Sequence, residues 1–305
     1  MDQITSVRVF VLAVDMGSLA AAGRQLGLSP AMAGRYLGSL ETQLKARLLQ
    51  RSTRHLSLTE AGQRYYERCK QILADFDDAN REAADRDQAL QGTLKITAPV
   101  TFGSMHLGAS IGRYLDKHPG VTIDVALSDR FVDLLEEGVD VAIRIGQLRD
   151  ENLTVRRLAS CRLLACAAPA YLAAHGKPST PLQLRDHACL ALVGASSAGR
   201  WTFKDKAGVE HTINGPHRMH ANTMDILLAT ALTGSGIVYG PSFVFGDALD
   251  KGALVQLLPD YTTTSLPIHA VFPTSRYMPR IVRQFVDHLA EDFGEVPPWE
   301  RWAMQ

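Results

Sequence analysis

The sequence predicts an α/β protein in which a helical N-terminal part precedes a larger domain of alternating strands and helices. Up to about residue 88, apolar residues recur at the three- and four-residue spacings of amphipathic helices. After Gln91 and Gly92 the pattern changes to short apolar runs between amphipathic stretches, which is typical of α/β domains. The 305 residues are enough for two or three compact units.

Composition supports folded cores and excludes disorder as the main state, since 46% of the residues are hydrophobic and 21% are charged. There is no apolar run of about 18 residues, and the N-terminus lacks the features of a secretory signal. We therefore expect a cytoplasmic protein. The four cysteines are few and irregularly spaced, so we expect reduced thiols and no disulfide framework.

Three helices are predicted at the start of the chain. An apolar stripe that includes Val7 and Phe10 marks the first helix, which ends near Gly17. Ser18 is placed to cap a second helix that Gly27 stops, and Ser29 with Pro30 is placed to begin a third. The third helix is expected to bury Ala33, Leu37, Leu40, Leu44 and Leu48. Its outer face is expected to present Ala31, Gly34, Arg35, Gly38 and Ser39.

Residues 50–59 predict a short hairpin, because Leu56 and Leu58 alternate with polar residues. Thr59 is then placed to cap a long helix through about Gln88. Spacings of four and three residues along this helix indicate a coiled-coil seam formed by Tyr65, Cys69, Ile72, Phe76, Ala79 and Ala83. Such a narrow stripe predicts pairing with a second chain, and packing against another helix of the same chain is the alternative.

Charge is unevenly distributed although the whole chain has a net charge of zero. Six basic residues and the single acid Glu41 lie between Gly17 and Leu58, which gives this segment a net charge of plus five. Each basic residue alone could be a solvated surface charge. Together, on a turn, a third helix and a hairpin, they indicate neutralisation of nucleic-acid phosphates.

Residues 17–62, from GSLAAAG to LTEAG, resemble the LysR-type transcriptional regulators in their turn, leucine spacing and trailing LTEAG. The resemblance implies a winged helix-turn-helix at residues 1–58, a dimerisation helix and hinge at 59–92, and an effector-binding domain at 93–305. It implies a sequence-specific DNA-binding regulator that responds to a small molecule, forms homodimers or homotetramers, and contacts RNA polymerase. No cofactor is implied.

The family's DNA contacts fall on matching positions of this sequence. Ala31, Gly34 and Arg35 are expected near base edges, because a guanidinium can bond a guanine edge through two hydrogen bonds. Pro30 is also among the expected DNA-binding residues, although the family commonly has glutamine at its position and serine at that of Gly34. Phosphate or minor-groove contacts are expected from Ser29, Arg51, Thr53 and Arg54. Gly34 indicates either a close approach to DNA or a tolerated helix weakness.

The larger domain is predicted to have strands at Leu94–Ala98, Thr122–Leu127, Val139–Ile145, Leu163–Ala167, Ile237–Tyr239 and Ile268–Phe272, and a closing helix at about Pro279–Phe293. Residues 94–146 resemble the first half of the type 2 periplasmic-binding fold, as used by the CrgA-like branch of the family. That resemblance implies one lobe at 93–161 with 267–295, a second lobe at 162–266, and a ligand between them.

The predicted ligand site begins where the first of these strands meets a helix. There, backbone N–H groups and the Thr101 hydroxyl could hold a carboxylate. Each residue alone could be an ordinary cap or turn residue. The expected effector-binding residues are Val100, Thr101, Phe102, Asp129, Gly146, Asn222, Thr223 and Pro241.

Other functions are less well supported by the sequence. An enzyme would require a nucleophile, a base and an orienting residue in one cluster, and no such set is evident. A solute-binding module that never contacts DNA would leave the basic segment without a purpose. His217 and His220 have metal-ligand spacing, but the sequence offers no obvious third ligand, so we expect no metal site.

Overall fold

The computed structural model describes residues 2–51, 56–84, 89–148, 153–193, 200–213, 217–273 and 278–304. For Arg51 and several positions of the helix at 60–84, only the backbone is described. The chain forms two compact units, one before position 88 and one made of almost all later residues. Among the described helices, none is long and apolar enough to cross a membrane.

The described part of the first unit consists of helices and one antiparallel hairpin: α1 (Gln3–Asp15), α2 (Leu19–Gln25), α3 (Pro30–Leu44), β1 (Leu49–Arg51), β2 (Leu56–Leu58) and α4 (Glu60–Ala84). Between α2 and α3, Gly27 adopts a φ of 68° and the N–H of Leu28 donates to the carbonyl of Gly23 at 2.8 Å. A Cβ on Gly23 would lie 3.1 Å from that of Ala33, so the two helices cross closely.

The core of the first unit confirms the predicted helix faces with one exception. Phe10, Leu37 and Leu40 are buried together, and Leu48 joins them just after α3. Leu44 was expected in this core but is 37% exposed, because α3 ends there and Lys45 turns the chain in a left-handed conformation with a φ of 51°.

The apolar stripe of α4 divides between two environments. Cys69 is buried and Tyr65 packs beside it against the core of the first unit, as Leu73 also does. The expectation that the whole stripe faces a partner chain is therefore wrong for Tyr65 and Cys69. Further along, Ile72 and Phe76 are 55% and 40% exposed. The side chains of Ala79 and Ala83 lie outside the described set.

The LTEAG sequence joins the hairpin to α4 through close contacts. Thr59 Oγ1 accepts from the N–H of Gly62 at 2.9 Å, which caps the helix as predicted. The N–H of Thr59 donates to the carbonyl of Leu48 at 3.0 Å. A Cβ on Gly62 would lie 2.0 Å from that same carbonyl oxygen, so only glycine fits at this position without movement.

The second unit alternates strands and helices: β3 (Gly92–Ala98), α5 (Val100–Phe102), α6 (Gly108–Lys117), β4 (Val121–Leu127), β5 (Val141–Ile145), β6 (Leu153–Ala167), α7 (Pro169–His175), β7 (Cys189–Leu192), β8 (Trp201–Lys204), β9 (Glu210–Ile213), β10 (His217–Ala221), α8 (Met224–Leu232), β11 (Ile237–Pro241), α9 (Ser242–Asp250), β12 (Val255–Leu257), β13 (Thr262–Thr263), β14 (Ser265–Pro273) and α10 (Arg280–Phe293). A π-helical segment, Gly103–Leu107, joins α5 to α6, and 3₁₀ helices form at Pro181–Asp186 and Pro298–Met304.

A nine-stranded sheet runs in the order β10-β7-β11-β6-β14-β5-β3-β4, with β12 also paired to β6. We call the part built on β3, β4 and β5 the first lobe and the part built on β7, β10 and β11 the second lobe. The long strand β6 pairs with β14 and then with β11, while the register of β14 places Ser265 opposite Arg162. The chain therefore crosses between the lobes near residues 160–163.

Within the first lobe, a carboxylate joins α6 to α10. Asp292 accepts hydrogen bonds from Ser110 and from Arg113, whose Nη2 lies 2.7 Å from Asp292 Oδ2. Burial of this carboxyl opposes its ionisation, but the hydrogen bonds outweigh that effect and hold its pKa below the usual value. His288 Nε2 lies 2.9 Å from the carbonyl of Ser110 and completes the contact.

Candidate nucleic-acid interface and interlobe site

The exposed face of α3 is flat except for one arginine. Ser29 caps the helix by accepting from the N–H of Met32 at 3.3 Å, and Pro30 is its first residue. Ala31 and Arg35 are exposed. A Cβ placed on Gly34 would meet nothing within 4 Å, and the same holds at Gly38. Another surface can therefore approach this backbone closely, with the Arg35 guanidinium beside it.

The single acid of the basic segment is engaged by the protein's own backbone. Glu41 Oε1 accepts from the N–H groups of Leu48 at 2.8 Å and Leu49 at 3.2 Å, where the chain enters the hairpin. The carboxylate thereby fixes the start of the hairpin relative to α3, while Lys45 and Arg47 remain exposed.

The predicted contact residues of the hairpin are only partly described. The backbone of Arg51 ends β1, and its side chain lies outside the described residues, as do Thr53 and Arg54. Their roles stay predictions. The structure does confirm the hairpin that carries them, since β1 pairs with β2 from Leu49 to Leu58.

In the first lobe, the predicted ligand residues meet at one edge of the sheet. Strands β3, β4 and β5 are parallel, so the residues that follow them lie on the same side. The N–H of Val100 donates to Asp129 Oδ1 at 3.1 Å. The hydroxyl of Thr101 donates to Asp225 Oδ2 at 2.7 Å, and Asp225 belongs to α8 of the second lobe. Two carboxylates of the chain therefore occupy donors that the sequence assigned to a ligand.

Phe102 lies in an aromatic cluster and supports the start of the helix. Its side chain is fully buried, with ring centroids 5.2 Å from Phe243, 5.6 Å from Trp299 and 5.8 Å from Phe293. His106 joins the cluster and its Nε2 lies 2.8 Å from the carbonyl of Phe243. Burial lowers the pKa of His106, which favours the neutral ring with Nε2–H as the donor. The cluster connects the first lobe to α9.

The other predicted residues lie at element ends. Gly146 follows β5 with a φ of 101°, its N–H donates to the carbonyl of Pro267 at 2.9 Å, and a Cβ there would meet nothing within 4 Å. Asn222 is exposed, and Thr223 precedes α8 without capping it through its side chain. Pro241 is the residue before α9. Within the described residues, the side chains of Asn222 and Thr223 make no hydrogen bond.

Sequence reasoning missed Arg144, which lies two residues before Gly146 on β5. Arg144 is 92% buried, and its Nη2 has no hydrogen-bond partner within the described part of the chain. The guanidinium carbon lies 5.3 Å from the ring centroid of Phe131, which is itself 81% exposed. Burial lowers the pKa of Arg144, although Glu137 partly offsets this effect. An arginine within a largely apolar strand could have been noticed in the sequence.

Metal binding has no support in the described ranges, where no group of three or more His, Cys, Asp and Glu side chains could hold an ion. His217 and His220 do lie together, with ring centroids 5.3 Å apart.

Comparisons with known proteins identify both parts of the chain. Residues 4–63 match the bacterial regulatory helix-turn-helix proteins of the lysR family, and residues 87–294 match the LysR substrate binding domain. The chain belongs to the LysR family. It is therefore a DNA-binding transcriptional regulator with an effector-binding domain, not an enzyme.

Similar proteins match most of the length of this LysR-family chain. An uncharacterized HTH-type transcriptional regulator of Haemophilus influenzae is 35% identical over 92% of this chain and 96% of its own length. The regulator CrgA of Neisseria meningitidis is 32% identical over 94% of this chain and 95% of its own. A solved structure of CrgA covers 95% of this chain and 98% of its own, with a TM-score of 0.64 and 30% identity.

Proposed function

We propose that α3 enters the major groove and that the hairpin β1–β2 is a wing on the adjacent backbone or minor groove. The observation that carries this proposal is the exposed face of α3, where Arg35 lies beside two glycines with open space above them. A bare backbone allows close approach to base edges, and the arginine fork matches the acceptors of guanine. The exposed cations Lys45 and Arg47 supply phosphate contacts.

The DNA assignment is tested by titrating Arg35→Ala against the promoter region beside the gene, in gel-shift assays at two salt concentrations. Loss of a bidentate base contact should cost about 1–3 kcal/mol and relax discrimination at one operator position. Arg185→Ala is the matched control, because Arg185 is an exposed arginine of the second unit. Equal affinity and selectivity for both variants and the unmodified chain would contradict the assignment.

The exposed part of α4 supports dimerisation. Ile72 and Phe76 present apolar surface that the first unit does not cover, on the same helix as the buried Cys69. A second copy of α4 would bury this surface and place two reading helices in successive major grooves. We extend the proposal to tetramers formed through the effector domains, in which effector binding changes DNA bending and contact with RNA polymerase in the cytoplasm.

The effector is proposed to be a small anion bound at the interlobe site, near the ends of β3, β4 and β5. Within the described part of the chain, the buried Nη2 of Arg144 has no hydrogen-bond partner and Glu137 offsets only part of the effect of burial, which supports a negative ligand. The donors of Val100 and Thr101 already bind Asp129 and Asp225, so the ligand must displace those carboxylates or bind beside them.

The effector assignment is tested by thermal-unfolding screens against small carboxylates, since a ligand of the native state raises its stability. A carboxylate that stabilises the unmodified chain should lose this effect in Arg144→Met. Thr230→Val is the control, because among the described residues the Thr230 hydroxyl bonds only within α8, to the carbonyl of Ile226. Retained stabilisation in Arg144→Met would exclude Arg144 as the anion partner.

A further inference from the structure

A cavity lies beside the crossover between the lobes, away from the residues predicted to hold the effector. Its volume is about 430 Å³, which is within the range of small-molecule pockets. We call it the hinge cavity and define it by Ser160, Arg162, Gln256, Tyr261, Thr263 and Ser265. Residues Glu295–Pro297 and Glu300, from the segment after α10, also line it, together with Leu164, Pro259 and Thr262.

Among the described residues that line the hinge cavity, the one cation is already neutralised. Arg162 donates from Nε and Nη2 to Glu300 Oε2, at 3.1 and 2.6 Å. The other oxygen of Glu300 accepts from the hydroxyl of Ser242. Glu295 adds a second carboxylate to the lining, so the formal charge of the cavity wall is negative. An anionic ligand would face this negative wall without a free guanidinium to offset it.

A ligand in the hinge cavity would meet neutral polar side chains. Five residues that line the cavity carry a hydroxyl or an amide whose side chain makes no hydrogen bond within the described part of the chain: Ser160, Gln256, Tyr261, Thr263 and Ser265. Hydroxyls and amides both donate and accept, so they can pair with ligand hydroxyls in either direction. Tyr261 adds a ring whose apolar face can cover C–H groups.

We propose that the hinge cavity is a second ligand site, which takes a neutral polyhydroxylated molecule of about monosaccharide size. The site is built from three parts of the fold. Gln256 and Thr263 belong to strands beside the second lobe, Ser160 and Ser265 to the crossover strands, and Glu300 to the C-terminal 3₁₀ helix. Glu295–Pro297 follow α10, which is joined to the first lobe through Asp292, whereas Gln256 lies on a strand beside the second lobe. A ligand that bonds both would hold the lobes at one spacing, so its binding is linked to their relative position.

The proposal is tested on the full-length protein by saturation-transfer NMR with D-glucose, D-galactose, D-ribose and myo-inositol as probes. At least one probe should bind saturably. Gln256→Leu should weaken that binding at least tenfold, because it leaves ligand hydroxyls without an amide partner. Thr263→Val is a second variant, used if Gln256→Leu fails to fold by circular dichroism. NMR detects direct contact, whereas sugars stabilise many proteins against heat without binding.

Thr101→Val distinguishes this site from the interlobe site: it removes the bond to Asp225 and can change probe affinity through the lobe spacing, but it should not abolish saturable binding. Absence of saturable binding by every probe would overturn the proposal. So would binding that Thr101→Val removes and Gln256→Leu retains, since the probe would then occupy the interlobe site. Binding of benzoate that Gln256→Leu abolishes would overturn the assignment of a neutral ligand. None of these outcomes depends on DNA binding.

Discussion

Replacing glycine by alanine should lower the stability of the first unit at Gly62 and raise it at Gly34 and Gly38. In Gly62→Ala the new Cβ would lie 2.0 Å from the carbonyl oxygen of Leu48, and that oxygen is held by the N–H of Thr59 at 3.0 Å. Overpacking of this kind lowers the free energy of unfolding by about 1–3 kcal/mol, and the higher helix propensity of alanine offsets up to about 1 kcal/mol of that loss. We expect a net loss of about 1–2 kcal/mol.

Gly34→Ala and Gly38→Ala meet no atom within 4 Å and should instead stabilise the chain by up to about 1 kcal/mol. Urea denaturation of the three variants measures the difference, with the slope of each transition checked for equality. Equal stability of all three would refute the packing argument. The same Gly34→Ala protein also decides why glycine is there. Weaker operator binding by a more stable protein indicates close approach to DNA, and unchanged binding indicates a tolerated helix weakness.

Other predictions concern the dimer, the acid range and the thiols. Phe76→Asp should convert the oligomer to smaller species in light scattering, because it places a charge in the apolar seam, and an intact assembly would contradict the seam. Asp292→Asn should lower the free energy of unfolding near neutral pH. Because the folded-state pKa of Asp292 is lowered, the stability it contributes is present above the ordinary aspartate pKa and is lost as the pH falls through the lowered value. The deficit of the variant should therefore shrink in acid, and a pH-independent deficit would exclude this role. Burial raises the pKa of Cys161 and Cys189 to about 12 and raises that of Cys166 as well, so these thiols should react with Ellman's reagent only after unfolding. Rapid reaction of the native protein would show that they are accessible.

The sequence predicted best those elements in which apolar residues recur at regular spacing or a capping residue begins the helix. Ser29 and Thr59 begin their helices as expected, and the strands at 94–98 and 122–127 form. Strand β6 was predicted as Leu163–Ala167 but begins at Leu153. In the first half of β6, several residues are exposed and apolar and polar residues do not alternate regularly. Pairing with β14, and not burial of one face, maintains the strand there.

The short strands β10 and β13 were not predicted, for a related reason. β10 contains two histidines and an arginine, and β13 has only two residues, so neither presents an apolar pattern. In the interlobe site, sequence placed Val100, Thr101 and Asp129 correctly near one another. The sequence could not show that Asp129 accepts from the N–H of Val100 or that Asp225 accepts from the hydroxyl of Thr101. These contacts join residues 29 and 124 positions apart and depend on the tertiary fold.

The bonds from Glu41 to the N–H groups of Leu48 and Leu49 have a consequence for the operator. They fix the start of the hairpin relative to α3, so under the proposed DNA contacts the number of base pairs between the two footprints of helix and wing is fixed as well. An operator with one base pair inserted between these footprints should lose one set of contacts entirely, however well each half matches.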